Sequence, residues 1–254
     1  MLFDLSLPSD LSDMKKFIPL FLILAVVSCG SPPLDMTEEE IDAYVESCMD
    51  PEKIYDINFG MRFSQDDKAY QVSEYRLNDT IILHNSIEET EFSQVNQNIF
   101  YKDELPVFIE QYAWQFEEGG LNYTERKIYL TGDDVLVAYQ RSGDTDELTG
   151  KFEETEIEFE SFDFNRPQDA VNQEGDFEMK FGDFLVINPE SYLILENEKS
   201  GWGVALYILE GDMLLDQLFA QPEDYKGKTI EIHHEFMTMN GIQRMIYRGG
   251  IVKE

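Results

Sequence analysis

The sequence predicts a mainly β protein: an antiparallel sheet meander with one N-terminal helix and a smaller C-terminal β unit. Three observations support this prediction. Apolar and polar side chains alternate along most of the chain after residue 55, as they do in strands with one buried face. Turn-forming pairs such as Asn78-Asp79 and Asn240-Gly241 separate the alternating runs. A helical period occurs near the N-terminus and in one short stretch at 212–220.

The N-terminal helix is predicted from a capping box. Thr37 and Glu40 have the spacing at which each side chain satisfies a backbone N–H of the other residue, and the helix extends from there to about Asp50. Its apolar stripe consists of Ile41, Tyr44, Val45 and Cys48. Cys48 is therefore predicted to be a small core residue rather than a reactive thiol.

The antiparallel meander is predicted over residues 55–166. Its strands are expected at 70–75, 80–87, 108–116, 123–130 and 135–141. The most regular alternation lies between Phe152 and Phe162, so this segment is also predicted to be a strand. The polar face of this segment consists of Glu154, Glu156, Glu158 and Glu160. A row of glutamates on one strand face indicates a solvated surface more often than a cation site.

A domain boundary is predicted near residue 166, where Asn165, Arg166 and Pro167 interrupt the alternation, and residues 167–254 form the smaller unit. Its expected elements are strands at 177–181, 184–188, 192–196 and 203–209, a helix at 212–220, and a hairpin of 229–239 with 242–252. The stretch Asp224–Ile230 resembles the entry to a strand in small OB-like barrels. A barrel-like C-terminal unit is therefore left open.

Residues 1–28 are predicted to be a secretory signal peptide, within which residues 1–13 precede an internal Met and are expected to be an unused upstream start. Lys15 and Lys16 precede an uninterrupted apolar run at 17–27. As a helix this run is about 16 Å long, half of the hydrocarbon core of a bilayer, so it is too short to span one.

Four residues at the end of the apolar run, Val26, Val27, Ser28 and Cys29, resemble the bacterial lipobox. The resemblance implies cleavage before Cys29 and acylation of Cys29 by fatty acids such as palmitate. It also implies a membrane-anchored lipoprotein in which residues 29–54 form a tether and the short helix. Gly30 follows where Asp would resemble an inner-membrane retention signal, so the resemblance favours the outer membrane. The leaflet that the protein faces is left open.

Charge excludes one class of partner. The chain has 52 acidic and 19 basic residues, a net charge of −33 at pH 7. Affinity for nucleic acids depends on Lys and Arg side chains that neutralise phosphates, so DNA and RNA are not expected as partners. A content of 43% hydrophobic and 13% aromatic residues indicates a packed chain beneath the charged surface. If Cys29 is acylated, Cys48 has no partner for an internal disulfide.

No catalytic residue, metal site or cofactor is predicted. The three histidines are His84, His233 and His234. Glu231, His233 and Glu235 share a strand face, but this set has less nitrogen and sulfur than a typical zinc site. The acidic loop at 144–147 departs from the EF-hand pattern for calcium. The nucleophile elbow of hydrolases and the phosphate-binding loop have no match in the sequence.

The candidate binding residues are aromatic. Tyr112, Trp114 and Trp202, where exposed, are predicted to supply a binding face for carbohydrate or protein. Thr80, in the stretch 79–81, lies in a sequence that resembles the acceptor for O-glycosylation of exported proteins in Bacteroidota. The compact size, acidic balance and aromatic strands also resemble those of the envelope lipoproteins of that group.

These inferences predict a lipid-anchored cell-envelope protein with a binding or scaffolding role and no catalysis of its own. Its acyl chains contact the membrane, and its further partner is a protein or a carbohydrate. Two alternatives remain. A periplasmic inhibitor or immunity protein would present carboxylates around a few exposed aromatic residues to a basic partner. A hydrolase of envelope polymers would draw its acid and base from carboxylates in a concave acidic pocket.

Overall fold

The computed structural model describes residues 35–253, and its main feature is one sheet of 13 mostly antiparallel strands. The strands are β1 (Asp56–Gln65), β2 (Lys68–Leu77), β3 (Thr80–Glu89), β4 (Ser93–Lys102), β5 (Leu105–Glu117), β6 (Gly120–Thr131), β7 (Asp134–Gly143), β8 (Glu153–Glu154), β9 (Lys180–Ile187), β10 (Glu190–Glu196), β11 (Gly203–Tyr207), β12 (Ile230–Met239) and β13 (Ile242–Val252). The predicted fold class, mainly β with an N-terminal helix before the sheet, is confirmed.

The described residues contain four α-helices. They are α1 (Glu38–Cys48), α2 (Asn165–Asn172), α3 (Met213–Ala220) and α4 (Pro222–Tyr225). α1 has the predicted capping box, in which the Thr37 hydroxyl accepts from the Glu40 N–H and the Glu40 carboxylate accepts from the Thr37 N–H. α3 begins after Asp212, whose carboxylate accepts from the Leu215 N–H at 2.9 Å. None of these helices is long and apolar enough to cross a membrane.

The strand order follows the chain from β1 to β8, so consecutive strands in this meander are antiparallel neighbours. On the other side of β1 lie β11, β13 and β12, and β10 joins β11 to β9. Tight turns explain the hairpins: Asn78 and Asp79 both have positive φ, 52° and 65°, as a type I′ turn requires. Asn240 and Gly241 also have positive φ in the last hairpin. Both turns were predicted from the sequence.

Three buried clusters hold these elements together. The first lies between β1, β2, α2 and the C-terminal strands, and includes Phe63 and Trp202. The second lies between α1 and one face of the meander, where Ile41 and Cys48 are buried, as predicted for Cys48. The third includes Ile109 and lies on the opposite face of the meander. The sheet is thus covered on both faces at one end of its strands.

The predicted strand from Phe152 to Phe162 is wrong. Only Glu153–Glu154 pair with β7, and the segment leaves the sheet edge after the Thr155 N–H donates to the Ala138 carbonyl at 2.9 Å. Three of its apolar side chains, Ile157, Phe159 and Phe162, pack against the third cluster, as does Phe164 just after it. The chain therefore crosses the face of the meander. The alternation in the sequence reports which side chains are buried and does not require backbone pairing.

The C-terminal part also differs from the prediction. Helix α2 begins at Asn165, where the alternation is interrupted. Residues 175–177 form a short 3-10 turn before β9. β9 is one continuous strand where two strands, at 177–181 and 184–188, were predicted. One bridge, from Lys180 to Thr229, brings the start of β9 to the segment before β12. The sheet is nevertheless not closed. The division into units at residue 166 stays a prediction.

Candidate binding site

The candidate site is the part of one meander face that α1 leaves open. α1 packs over a row that contains Leu83, Phe100, Phe108 and Tyr129. Farther along the same strands, most of the side chains on this face are polar or aromatic and half-buried. We call this surface the amide-aromatic platform, and its residues are Asn85, Gln94, Asn96, Asn98, Glu110, Tyr112, Trp114, Tyr123 and Glu125.

The strand register arranges the platform in rows. One row contains Gln94, Trp114 and Tyr123, and the next contains Asn96, Tyr112 and Glu125. Because residues two apart in a strand point to the same face, Tyr112 and Trp114 stand side by side along β5. The Tyr112 ring also lies 6.3 Å from the ring of Tyr123 on β6, measured between centroids. Three aromatic rings are therefore grouped on one half-exposed surface.

Hydrogen bonds fix the orientation of the platform side chains. The Trp114 Nε1–H donates to Gln94 Oε1 at 2.9 Å. Asn85 Nδ2 donates to Asn96 Oδ1 and to Asn98 Oδ1, both at 2.8 Å. A surface whose side chains are already ordered loses less conformational entropy when a ligand binds.

The asparagines of the platform are unusual for a sheet. Asn is depleted in strands, yet Asn85, Asn96 and Asn98 lie within β3 and β4, half-buried and in contact with each other. Apolar residues at these positions would bury more hydrophobic surface and leave fewer polar groups to satisfy. The asparagines therefore give this face hydrogen-bond donors and acceptors at the expense of buried apolar surface.

The loop between β7 and β8, residues 144–152, lies along one side of the platform. The Arg141 guanidinium lies 4.5 Å from the Phe152 ring centroid, and its Nε donates to Glu125 Oε2 at 2.6 Å. The Tyr112 hydroxyl lies 3.5 Å from the Asp146 carbonyl oxygen. Partial burial and the Asp146 carboxylate raise the pKa of Tyr112, so its phenol remains a hydrogen-bond donor at neutral pH. The hollow of about 360 Å³ beside this loop is lined by Asn96, Asn98, Glu110, Tyr112 and Glu125.

No protein-family model, curated protein or solved structure matches the chain. The platform is therefore interpreted from its own chemistry. Within residues 35–253, no group of three His, Cys, Asp or Glu side chains is arranged to hold a metal ion. The platform offers amides, carboxylates and aromatic rings, which bind ligands by hydrogen bonding and ring stacking.

Of the three aromatic residues predicted for binding, the structure brings Tyr112 and Trp114 together and does not bring Trp202 to them. Trp202 is 7% exposed and lies in the first buried cluster. Its ring centroid is 5.9 Å from that of Phe177 and 6.3 Å from that of Tyr70. Trp202 immediately precedes β11 and is a core residue, so it is not part of the candidate surface.

The other predicted positions lie elsewhere. Thr80 is exposed where β3 begins, and its modification stays a prediction. Cys29 lies outside the described residues. His233 is exposed and His234 half-buried, with an irregularity of register between them, and burial lowers the pKa of His234. His233 and His234 therefore lie in different environments.

The polar half of the platform was not predicted from the sequence. Asn96 and Asn98 alternate with Val95 and Gln97, a pattern that indicates a polar strand face. It does not indicate that this face meets Tyr112, because that contact depends on the pairing of β4 with β5. A period-two signal identifies the face of each strand, whereas the neighbours across strands follow from register.

Proposed function

We propose that the chain is a lipid-anchored cell-envelope protein that binds carbohydrate on the amide-aromatic platform, without catalysis. One observation carries the proposal: Tyr112 and Trp114 stand side by side, half-exposed, next to amides that are held in place by hydrogen bonds. Large aromatic rings that remain partly exposed on a sheet face are available for contact with a ligand.

Carbohydrate fits this surface because a sugar ring has two kinds of surface. Its C–H faces are apolar and pack against aromatic rings, and its hydroxyl groups both donate and accept hydrogen bonds. The Tyr112 and Trp114 rings complement the first, and the side-chain amides complement the second. The Glu110 and Glu125 carboxylates add acceptors for hydroxyl groups. With a net charge of −33, the protein favours neutral over anionic polysaccharides.

The anchor in this proposal is supported by the sequence. Val26–Cys29 resemble a lipobox, and a cysteine that carries two or more acyl chains holds a protein stably on a membrane. In the sequence, Pro32 and Pro33 lie between Cys29 and α1. Such an anchor would keep the platform among the polymers of the envelope, where even modest affinity for a repeating polysaccharide gives lasting contact.

Calorimetric titration of the purified protein with neutral envelope polysaccharides and their oligosaccharide fragments tests the proposal. Trp114→Ala and Tyr112→Ala should each weaken binding by about ten-fold or more, equivalent to about 1.4 kcal/mol. Phe219→Ala removes an aromatic ring that is 52% exposed on α3, outside the meander, and should leave the affinity unchanged. Thermal melts of each variant establish that the fold is retained.

Each outcome of this titration has a clear meaning. Wild-type affinity in both platform variants would place the carbohydrate elsewhere and overturn the proposal. Shortening of the polysaccharide by the wild-type protein would reject the non-catalytic function and favour a carboxylate-based hydrolase. Capture of a basic protein, with no binding to any polysaccharide, would favour the inhibitor or immunity alternative.

A further inference from the structure

A second cavity lies at the opposite end of the meander strands, on the face that carries the third cluster. Its volume is about 660 Å³. Three hairpin turns meet at this end, between β2 and β3, β4 and β5, and β6 and β7, and each contributes one carboxylate to the rim. These carboxylates belong to Asp79, Glu104 and Asp133.

One wall of the cavity is aromatic. Phe159 and Phe164, from the segment that crosses the sheet face, line it with their ring centroids 5.0 Å apart. Asn165 and Gln168, at the start of α2, add two amide side chains. The cavity therefore combines an apolar wall with an acidic opening, a composition suited to a ligand that is apolar in part and charged in part.

The floor is a chain of buried polar groups. Glu74 Oε2 lies 3.1 Å from His84 Nε2, and His84 Nδ1 lies 3.1 Å from the Tyr101 hydroxyl. His84 and Tyr101 both line the cavity. Arg76 Nε donates to Glu74 Oε1 at 2.6 Å. Burial opposes ionisation of Glu74, but hydrogen bonds from His84 and Arg76 outweigh it and hold the pKa of Glu74 below its ordinary value. Glu74 is therefore ionised at neutral pH.

An ionised Glu74 sets the direction of these hydrogen bonds. A carboxylate only accepts, so His84 donates to it from Nε2. This direction follows from the partner of that nitrogen. The phenol oxygen of Tyr101 has two lone pairs, and His84 Nδ1 can use no more than one of them. At least one acceptor lone pair of Tyr101 therefore remains for a ligand that donates hydrogen bonds.

We infer that this cavity binds a small organic cation, namely an aliphatic amine in its ammonium form. The Tyr101 oxygen accepts from an ammonium N–H, the rim carboxylates attract its positive charge, and Phe159 and Phe164 supply apolar surface for its alkyl chain. Arg76 is the basic residue of the lining, and its charge is already paired with Glu74 at 2.6 Å. The site is independent of the platform, which lies on the other face.

Calorimetric titration with 1,5-diaminopentane tests the inference. Two compounds of the same length serve as controls: 1,5-pentanediol, which is neutral, and glutarate, which is anionic. The diamine should bind with one saturable site, and neither control should bind measurably. Trp114→Ala should leave diamine binding unchanged, so failure of the proposed carbohydrate site and failure of this one are distinguishable.

Variants locate the site. Glu104→Gln with Asp133→Asn removes two rim charges and should weaken diamine binding by about ten-fold or more. Asp66→Asn with Asp67→Asn makes the same change in net charge in the exposed β1–β2 turn, at the other end of the strands, and should change the affinity by less than about two-fold. Tyr101→Phe removes the acceptor on the floor and should also weaken binding.

Three results would overturn the inference. One is absence of saturable diamine binding, and another is equal affinity for the neutral diol. The third is an equal loss in the Asp66/Asp67 control, which would show attraction to the whole acidic surface rather than to this cavity. Because the rim residues are exposed turn residues, the Glu104/Asp133 variant remains informative even if Tyr101→Phe fails to fold.

Discussion

Glu74 and His84 face each other across β2 and β3, with Glu74 Oε2 3.1 Å from His84 Nε2, and their side chains are 0% and 2% exposed. A buried carboxylate loses most of its hydration, so it is tolerated only where partners replace the water. Here the partners are His84 and Arg76, which occupy one carboxylate oxygen each. Glu74 and His84 are therefore a cross-strand pair of β2 and β3. His84 also lines the second cavity.

Removing the Glu74 carboxylate should destabilise the fold strongly. Glu74→Ala leaves the buried His84 and the 37% exposed Arg76 without their acceptor, and leaving a buried donor unsatisfied costs about 1–3 kcal/mol. Glu156→Ala, at an exposed position on the segment that crosses the sheet, should change stability by less than about 0.5 kcal/mol. Urea unfolding followed by circular dichroism measures both. Equal midpoints for the two variants would contradict the importance of the pair.

The same carboxylate should make stability depend on pH in acid. The folded-state pKa of Glu74 is lowered, because hydrogen bonds from His84 and Arg76 outweigh the effect of burial. A lowered pKa contributes stability that is fully present above the unfolded-state pKa, about 4.3, and is lost as pH falls through the folded-state pKa. Urea midpoints between about pH 7 and pH 3 should therefore fall less steeply in Glu74→Gln than in the wild type. Parallel curves would assign acid sensitivity to other carboxylates.

The two tryptophans should report on two different environments. Trp114 is half-exposed on the platform and Trp202 is buried in the first cluster. In Trp202→Phe the remaining emission comes from Trp114 and should be red-shifted and readily quenched by acrylamide, whereas Trp114→Phe should show the opposite behaviour. A sugar ligand should then change the emission of Trp202→Phe and leave that of Trp114→Phe unaffected. Equal quenching in both variants would contradict the burial difference.

Local chemistry explains which parts of the fold were predictable. The hairpins at Asn78-Asp79 and Asn240-Gly241 follow from residues that adopt positive φ at little cost, and the capping box of α1 follows from Thr37 and Glu40. The segment at 152–162 was mispredicted because its apolar side chains find their partners across the sheet face and not along a neighbouring strand. That choice depends on distant residues.

The candidate site was half predictable for the same reason. Period-two alternation places Tyr112 and Trp114 on one face, and the structure agrees. It gives no information on whether that face is covered, which is why Trp202 was included although it lies in the core. The Glu74–His84 contact was missed because it depends on the register of β2 with β3, although a glutamate in line with Tyr70 and Val72 was a signal of a buried polar site.

The lipid anchor is tested by Cys29→Ala. If Cys29 is acylated, this variant should incorporate no labelled fatty acid, and it should no longer be found in the membrane fraction after fractionation. Cys48→Ala is the matched control, because Cys48 is the buried free thiol of the described residues and should not carry lipid. Labelling that persists in Cys29→Ala and disappears in Cys48→Ala would reverse the assignment.

Salt should affect the two proposed sites differently. The Debye length falls from about 10 Å at 0.1 M salt to about 3 Å at 1 M, so attraction between a cation and the acidic rim at Asp79, Glu104 and Asp133 is screened over that range. Binding of 1,5-diaminopentane should weaken accordingly. Binding of a neutral oligosaccharide to Tyr112 and Trp114 depends on stacking and short hydrogen bonds, so its affinity should stay within about two-fold. Titrations of the same protein at both salt concentrations compare the two affinities directly.

Two results would contradict this prediction. A strong salt effect on the affinity for the neutral sugar would indicate that charge rather than the aromatic surface governs its binding. A salt-independent diamine affinity would remove the electrostatic basis of the second site.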